Sequence, residues 1–156
     1  MKKYKILFVC LGNICRSPAA QTVMQHLVDK AGRTAEFELD SAGVSGYHEG
    51  EQADQRMRMH AIRRGLGITH LSRPLRDTDF RHFDLILGMD DRNMDSLQRR
   101  SPDLQCDAKL HRMTDYCRRM QADHVPDPYY GGAEGFEQVL DILEDACQGL
   151  LESLTK

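Results

Sequence analysis

Lys5-Ile6-Leu7-Phe8-Val9-Cys10-Leu11-Gly12-Asn13-Ile14-Cys15-Arg16-Ser17-Pro18 is the stretch that decides the fold. Its first five residues are a largely apolar run that reads as a buried strand. Pro18 suits the first turn of a helix, and Ala20, Val23, Met24, Leu27 and Val28 then recur at helical spacing. Between strand and helix, Cys10 stands six residues before Arg16, with the Ser17 hydroxyl directly after it. One loop of that span wraps a phosphate-sized anion. Backbone N–H groups point inward, the guanidinium offers a bidentate fork, and a thiol waits at the bottom as nucleophile. Gly12 supplies backbone freedom, and Asn13 tolerates the left-handed conformation such a loop demands.

The chain carries its own control. Cys106-Asp107-Ala108-Lys109-Leu110-His111-Arg112 repeats the cysteine–arginine spacing. It lacks glycine, carries an anionic Asp107 that would repel phosphate, and continues with Met113 where a hydroxyl is needed. Spacing alone is therefore a weak signal; Gly12, Asn13, Ser17 and the strand–helix context make the first copy a strong one.

At 156 residues the chain is long enough for one domain, 1–156, with a full core. A net charge of −3 argues against a general nucleic-acid binder. Arginines crowd one region (Arg56, Arg58, Arg63, Arg64, Arg73, Arg76, Arg81) and read as a solvated helix face and loop, the alternative being that some of them meet an acidic or phosphorylated partner. Five cysteines, an odd number, fit reduced thiols and a cytoplasmic location. The apolar run after Met1-Lys2-Lys3 is too short for a secretion signal, and no stretch of about 20 apolar residues would span a membrane. The seven histidines are scattered without ligand spacing, so neither a metal nor another cofactor is expected.

Strand and helix alternate along the chain, which predicts an α/β fold with a parallel sheet covered by helices on both faces. A short strand is expected over 36–39, a loop with Gly43, Gly46 and Gly50 over 41–50, and a helix over 53–64. Residues 83–89 read as the clearest central strand, 91–99 as a helix, 109–111 as a short fourth strand, and the last helix starts near Phe136. Ligands in such sheets bind beyond the carboxyl ends of the strands. Cys10, Ser41 and Asp90, each taken to follow a strand, are thus expected on one rim.

The segment 9–18 resembles the signature of the low-molecular-weight protein tyrosine phosphatases, and Asp127-Pro128-Tyr129-Tyr130 resembles that family's general-acid loop. The resemblance spans nearly the whole chain and implies a four-stranded sheet and hydrolysis of phosphotyrosine through a cysteinyl-phosphate. Under it Cys10 is the nucleophile, and attack requires the thiolate, whereas a free cysteine ionises near pH 8.5. Arg16 braces the phosphoryl oxygens, while Leu11, Gly12, Asn13, Ile14, Cys15 and Ser17 form the phosphate loop. Asp127 protonates the leaving phenolate and then activates water. Ser41 and His70, with Asp90 behind the histidine, hold Asn13. Tyr47, Tyr129 and Tyr130 wall an aryl cleft. Cys15 is the partner for a reversible disulfide with Cys10. The implied partner is a phosphotyrosine-bearing protein, a tyrosine kinase among the candidates, met by a monomer that binds neither nucleic acid nor membrane.

Two other functions compete. Thiol-coupled arsenate reductases resemble the same scaffold but need a close cysteine pair after the third strand, where this chain reads Gly88-Met89-Asp90-Asp91. A non-catalytic phosphotyrosine-binding module would have lost Cys10 or Asp127, and both are present. A nucleotide-type phosphate loop is excluded, because the Gly-x4-Gly-Lys-Ser/Thr pattern is absent.

Overall fold

Tyr4–Cys10 forms the central strand β1, and its side chains sort by parity, as a pleated backbone requires. Ile6, Phe8 and Cys10 enter one apolar cluster, while Leu7 and Val9 enter a second on the opposite face. All five are buried, so the strand is covered on both sides. The computed structural model describes residues 2–129 and 131–154. Strands β2 (Phe37–Gly43), β3 (Leu85–Gly88) and β4 (Leu110–Arg112) complete a four-stranded sheet in the order β2-β1-β3-β4, all parallel. Cys10 pairs with Gly43 and Val9 with Gly88, so three carboxyl ends finish nearly level.

Helices α1 (Arg16–Lys30), α2 (Gln55–Ile62) and α6 (Ala133–Ser153) supply the first cluster. The second draws on α3 (Asp79–His82), α4 (Asp91–Arg100) and α5 (Leu104–Asp107). Because the chain leaves β1 for one neighbour and later returns to the other, the order reverses between β1 and β3. Loops at such a switch point diverge and leave a crevice. Both the Cys10 loop and Asp90 flank it. No helix among the described residues is long and apolar enough to cross a membrane.

The sequence expectations hold for every strand and for the main helices, with instructive differences at the ends. Strand β2 runs on to Gly43, so Ser41 lies inside it opposite Phe8 and does not follow it. Polar residues are tolerated there because their side chains are bonded: Asp40 to Arg73 and Ser41 to Gln21. Helix α2 is shorter than the expected 53–64. The Asp54 carboxylate caps it by accepting the Arg56 and Met57 N–H groups, and Gly65, at φ 78°, turns the chain beyond its end. Helices α3 and α5, each four residues long, have no periodicity to announce them.

Helix α6 packs against α1 and against the 3-10 turn Met113–Tyr116, from which the chain proceeds to the Asp127 segment. A Cβ at Gly149 would stand 1.9 Å from the Tyr116 carbonyl oxygen, so only glycine permits this approach. Gly149→Ala is expected to destabilise the fold by about 1–3 kcal/mol. Gly67→Ala, whose Cβ meets nothing within 4 Å, should change stability by less than about 0.5 kcal/mol. Urea unfolding midpoints of the two variants check this.

Candidate active site

The loop from Cys10 to Arg16 is held from outside by its carbonyls. Val44 N–H donates to Cys10 O (2.9 Å), Ser45 N–H to Leu11 O (2.9 Å) and Asp54 N–H to Ile14 O (2.7 Å). The Ser72 hydroxyl donates to Gly12 O (2.9 Å). In a planar trans peptide the N–H points opposite to the C=O. Turning these four carbonyls out therefore turns the N–H groups of Leu11, Gly12, Asn13 and Cys15 in, the concave donor array that binds oxyanions. The N-terminus of α1 closes the ring, with Arg16, Ser17 and Pro18 all buried in its first turn.

Asn13 is the hub. It alone among the described non-glycine residues has a positive φ, 57°. Its Nδ2 donates to Ser17 Oγ (2.7 Å) and Ser41 Oγ (3.0 Å), and its Oδ1 accepts from the Arg73 N–H (3.0 Å). His70 Nε2 lies 2.9 Å from the same Oδ1. An amide oxygen only accepts, so Nε2 carries the proton. Burial pulls the His70 imidazole down, with Arg73 adding to the effect and Asp40 opposing it. Ser41 Oγ in turn donates to Gln21 Oε1 (2.6 Å). Cys10, 3% exposed, lies at the base with Sγ 3.0 Å from Ser17 Oγ. Asn13 occupies one acceptor side of that hydroxyl, leaving its hydrogen free for sulfur.

Arg16, 2% exposed, spans the site. Its Nη1 donates to Asp90 Oδ2 (2.7 Å) and Val125 O (2.9 Å), and its Nη2 lies 3.6 Å from Asp127 Oδ2. Burial opposes the guanidinium's charge, but Cys10, Asp90 and Asp127 outweigh it and raise its pKa. Burial likewise pushes the Asp90 carboxyl up, yet Arg16 and the Asn93 N–H prevail and hold it below the usual carboxylate range. The partly exposed Asp127 accepts the Tyr129 N–H through Oδ1 (3.1 Å). A cleft of about 480 Å³ opens above Cys10, with Leu11, Ile14, Tyr47 and Tyr129 as apolar walls and Asp127 at its edge. A larger depression of about 730 Å³ borders Asp90, Arg112 and His124, but no thiol lines it.

The sequence-derived residues thus come together, with four corrections. Asp90 does not stand behind His70; it bonds Arg16, and the carboxylate near His70 Nδ1 is Asp40, at 3.5 Å. Gly12 does not adopt a positive φ; its lack of a side chain makes room for the His48 ring, which a Cβ would meet at 3.1 Å. Tyr47 walls the cleft at its mouth only, 84% exposed and edge-on to His48. The arginine-rich region is not simply a solvated face. Arg73 joins Asp40 to Asp79, and Arg64 gathers Glu137, Asp141 and Glu144. Tyr130 lies outside the described residues. No local pattern marks Gln21, Asp40, His48, Ser72 or Arg73 as part of the site: Gln21 lies in α1 but serves it through Ser41 of β2, and the others act from segments beyond that helix. Cys15 is buried, and desolvation together with the nearby Asp54, Cys10 and Asp127 pushes its thiol well up. The Cys106 repeat is no loop: Cys106 sits in α5 in the opposite core cluster. Among the described residues no group of three His, Cys, Asp or Glu is placed to share a metal ion.

A thiol beneath inward N–H groups and a buried arginine, at the switch point of a parallel sheet, defines a cysteine-dependent phosphatase site. The chain belongs to the low molecular weight phosphotyrosine protein phosphatase family, whose sequence model matches residues 5–156. It is thereby a protein-tyrosine phosphatase. It is 47% identical over 152 residues to a putative low molecular weight protein-tyrosine-phosphatase of Synechocystis, covering 97% of each chain. A protein tyrosine phosphatase of Entamoeba histolytica, solved with Hepes in its active site, superposes with a TM-score of 0.94 at 48% identity, covering 97% of this chain and 96% of that one. A Drosophila arginine phosphatase superposes with a TM-score of 0.90 at 30% identity, covering 100% and 99%.

Asp90 also caps α4 through the Asn93 N–H (2.8 Å), a bond an asparagine oxygen can keep. Asp90→Asn therefore removes the ion pair with Arg16 while retaining the cap. It should cost about 1–3 kcal/mol at pH 7, less than for a fully buried pair because the Asp90 side chain is 23% exposed. A carboxylate with a depressed pKa stabilises the fold above its unfolded value, and that stability is lost as pH falls through the folded value. The gap between wild type and variant should therefore close below roughly pH 4, as read by urea unfolding across pH.

Proposed function

We propose that Cys10, Arg16 and Asp127 divide the reaction among them. Cys10 Sγ attacks phosphorus in line, forming an S–P bond as the P–O bond to the aryl group breaks. Asp127 gives its proton to the departing oxygen. Water then attacks the cysteinyl-phosphate, Asp127 takes the water proton, and the S–P bond breaks to return the thiolate. Arg16 and the inward N–H groups hold the equatorial oxygens as charge redistributes. The observation that carries this reading is one buried guanidinium lining the same cleft as the Cys10 thiol, with Asp127 Oδ2 3.6 Å from it.

Ser17 steadies the Cys10 thiolate, and Asn13, Ser41 and His70 hold the loop in its ligand-ready shape. Apolar walls from Leu11, Ile14 and Tyr129 favour a phenyl ring over a small aliphatic ester. The partner is a protein bearing phosphotyrosine, with an autophosphorylated tyrosine kinase as one candidate. One chain supplies nucleophile, arginine and general acid, which supports a monomeric working unit. A thiol nucleophile and five free cysteines suit a reducing compartment such as the cytoplasm. Arsenate reduction is disfavoured: of the five cysteines only Cys10 and Cys15 line the cleft, and Cys106 faces the other side of the sheet.

Hydrolysis of phosphotyrosine, phosphoserine and phosphoarginine peptides, with arsenate reduction run alongside, tests the reading. Phosphotyrosine should be the preferred substrate, Cys10→Ser should reduce turnover to background, and Asp127→Ala should lower it by about 10²–10⁴. Faster phosphoarginine turnover, or thiol-dependent arsenate reduction without hydrolysis, would refute it.

A further inference from the structure

Asp127 is carried on an exposed segment, yet proton transfer needs it fixed to within a fraction of an ångström. The second residue of α2 reaches across to that segment. Arg56 Nη2 donates to the Tyr129 carbonyl oxygen at 2.8 Å. Its guanidinium carbon lies 5.5 Å from the Tyr129 ring centroid and 4.9 Å from that of Phe136. The same guanidinium is anchored behind by the Asp54 carboxylate, through Nε (3.2 Å) and Nη2 (3.1 Å). Asp54 is itself fixed, since it caps α2 and its N–H donates to Ile14 O in the phosphate loop (2.7 Å). At the other end, Tyr129 N–H donates to Asp127 Oδ1, so fixing the Tyr129 backbone fixes the carboxyl.

We propose that Arg56 is a positioning residue that registers the Asp127 segment against the phosphate loop; the inference rests on the general-acid role given to Asp127 above. The path of contacts runs Ile14, Asp54, Arg56, Tyr129, Asp127, each link a hydrogen bond. Arg56 has a side chain 46% exposed, so filling the core is not its purpose. Exposed ion pairs contribute little to stability, whereas a planar fork held within 6 Å of two ring centroids restricts direction, which lysine's point charge does not. Val125 N–H to Met89 O (2.7 Å) and Arg16 to Val125 O (2.9 Å) pin the start of the segment. Arg56 grips it beyond Asp127.

Leaving-group dependence separates positioning of the acid from general damage. Phenolate departs poorly without a proton, while p-nitrophenolate needs little help. In Arg56→Met, kcat/KM for phenyl phosphate is expected to fall about 10-fold and that for p-nitrophenyl phosphate no more than about 2-fold. In the Asp127→Ala background the same change should add no loss with phenyl phosphate. Inhibition by inorganic phosphate, which reads the phosphate loop, should stay the same. Arg56→Lys, which retains charge without the fork, should repeat the selective loss. Equal losses on both substrates, additivity with Asp127→Ala, full rescue by lysine, or a defect confined to peptide KM would each overturn the proposal. If Asp127→Ala itself shows no leaving-group dependence, the general-acid reading fails instead.

Discussion

Peptide dipoles aligned toward a common point repel one another, and a loop that lines up its N–H groups with no anion present has to be held there by something else. In this protein the holding is done on the carbonyl side. Backbone donors from the segment after β2 and from the α2 cap take three carbonyls, and the Ser72 hydroxyl takes a fourth. The left-handed Asn13 turns the chain back at the middle of the loop, at a conformational cost its four side-chain partners offset. The placement of β2, of residues 43–45, of Ser72 and of the α2 cap all follow from that one requirement. Any element that drifted would release a carbonyl and let a peptide flip.

Arg16 poses the complementary problem. Burying a guanidinium costs several kcal/mol unless anions and acceptors surround it. Asp90 and the Val125 carbonyl meet the charge from behind, leaving the Cys10 side free to receive a substrate's oxygens. The cost is met during folding, so little reorganisation is left for the moment of reaction. It also explains why Asp90 sits at the switch point. A carboxylate there reaches both the arginine and the N-terminus of α4.

Legibility in the sequence follows the range of the interaction. Strand β1, α1 and the last helix were readable because burial imposes periods of two and 3.6 on contiguous residues, and α6 keeps Val139, Leu140, Leu143 and Cys147 inside accordingly. The short α3 and α5 were not, since four residues cannot display a period. The family resemblance places Asp90 behind His70, but the backbone carries it to Arg16, and Asp40 takes the histidine. The arginines between 56 and 81 looked like solvent-facing charge. Several instead tie remote elements together, and nothing in their neighbours distinguishes the two cases.

What the chain determined by itself is the local machinery: a buried strand, a cysteine and an arginine six residues apart on one turn, and a helix whose N-terminus faces them. Covalent connection sets those distances, so the phosphate loop and its nucleophile were visible in 14 consecutive residues. The tertiary structure alone decided which residues meet that loop from elsewhere. Ser72, Arg73, Asp90 and Asp127 come from beyond the loop and its helix, and their contacts exist only once the parallel sheet has set its strand order and register. Hydrogen bonds and ion pairs act over a few ångströms, and sequence separation says nothing about such distances until the sheet brings the elements together.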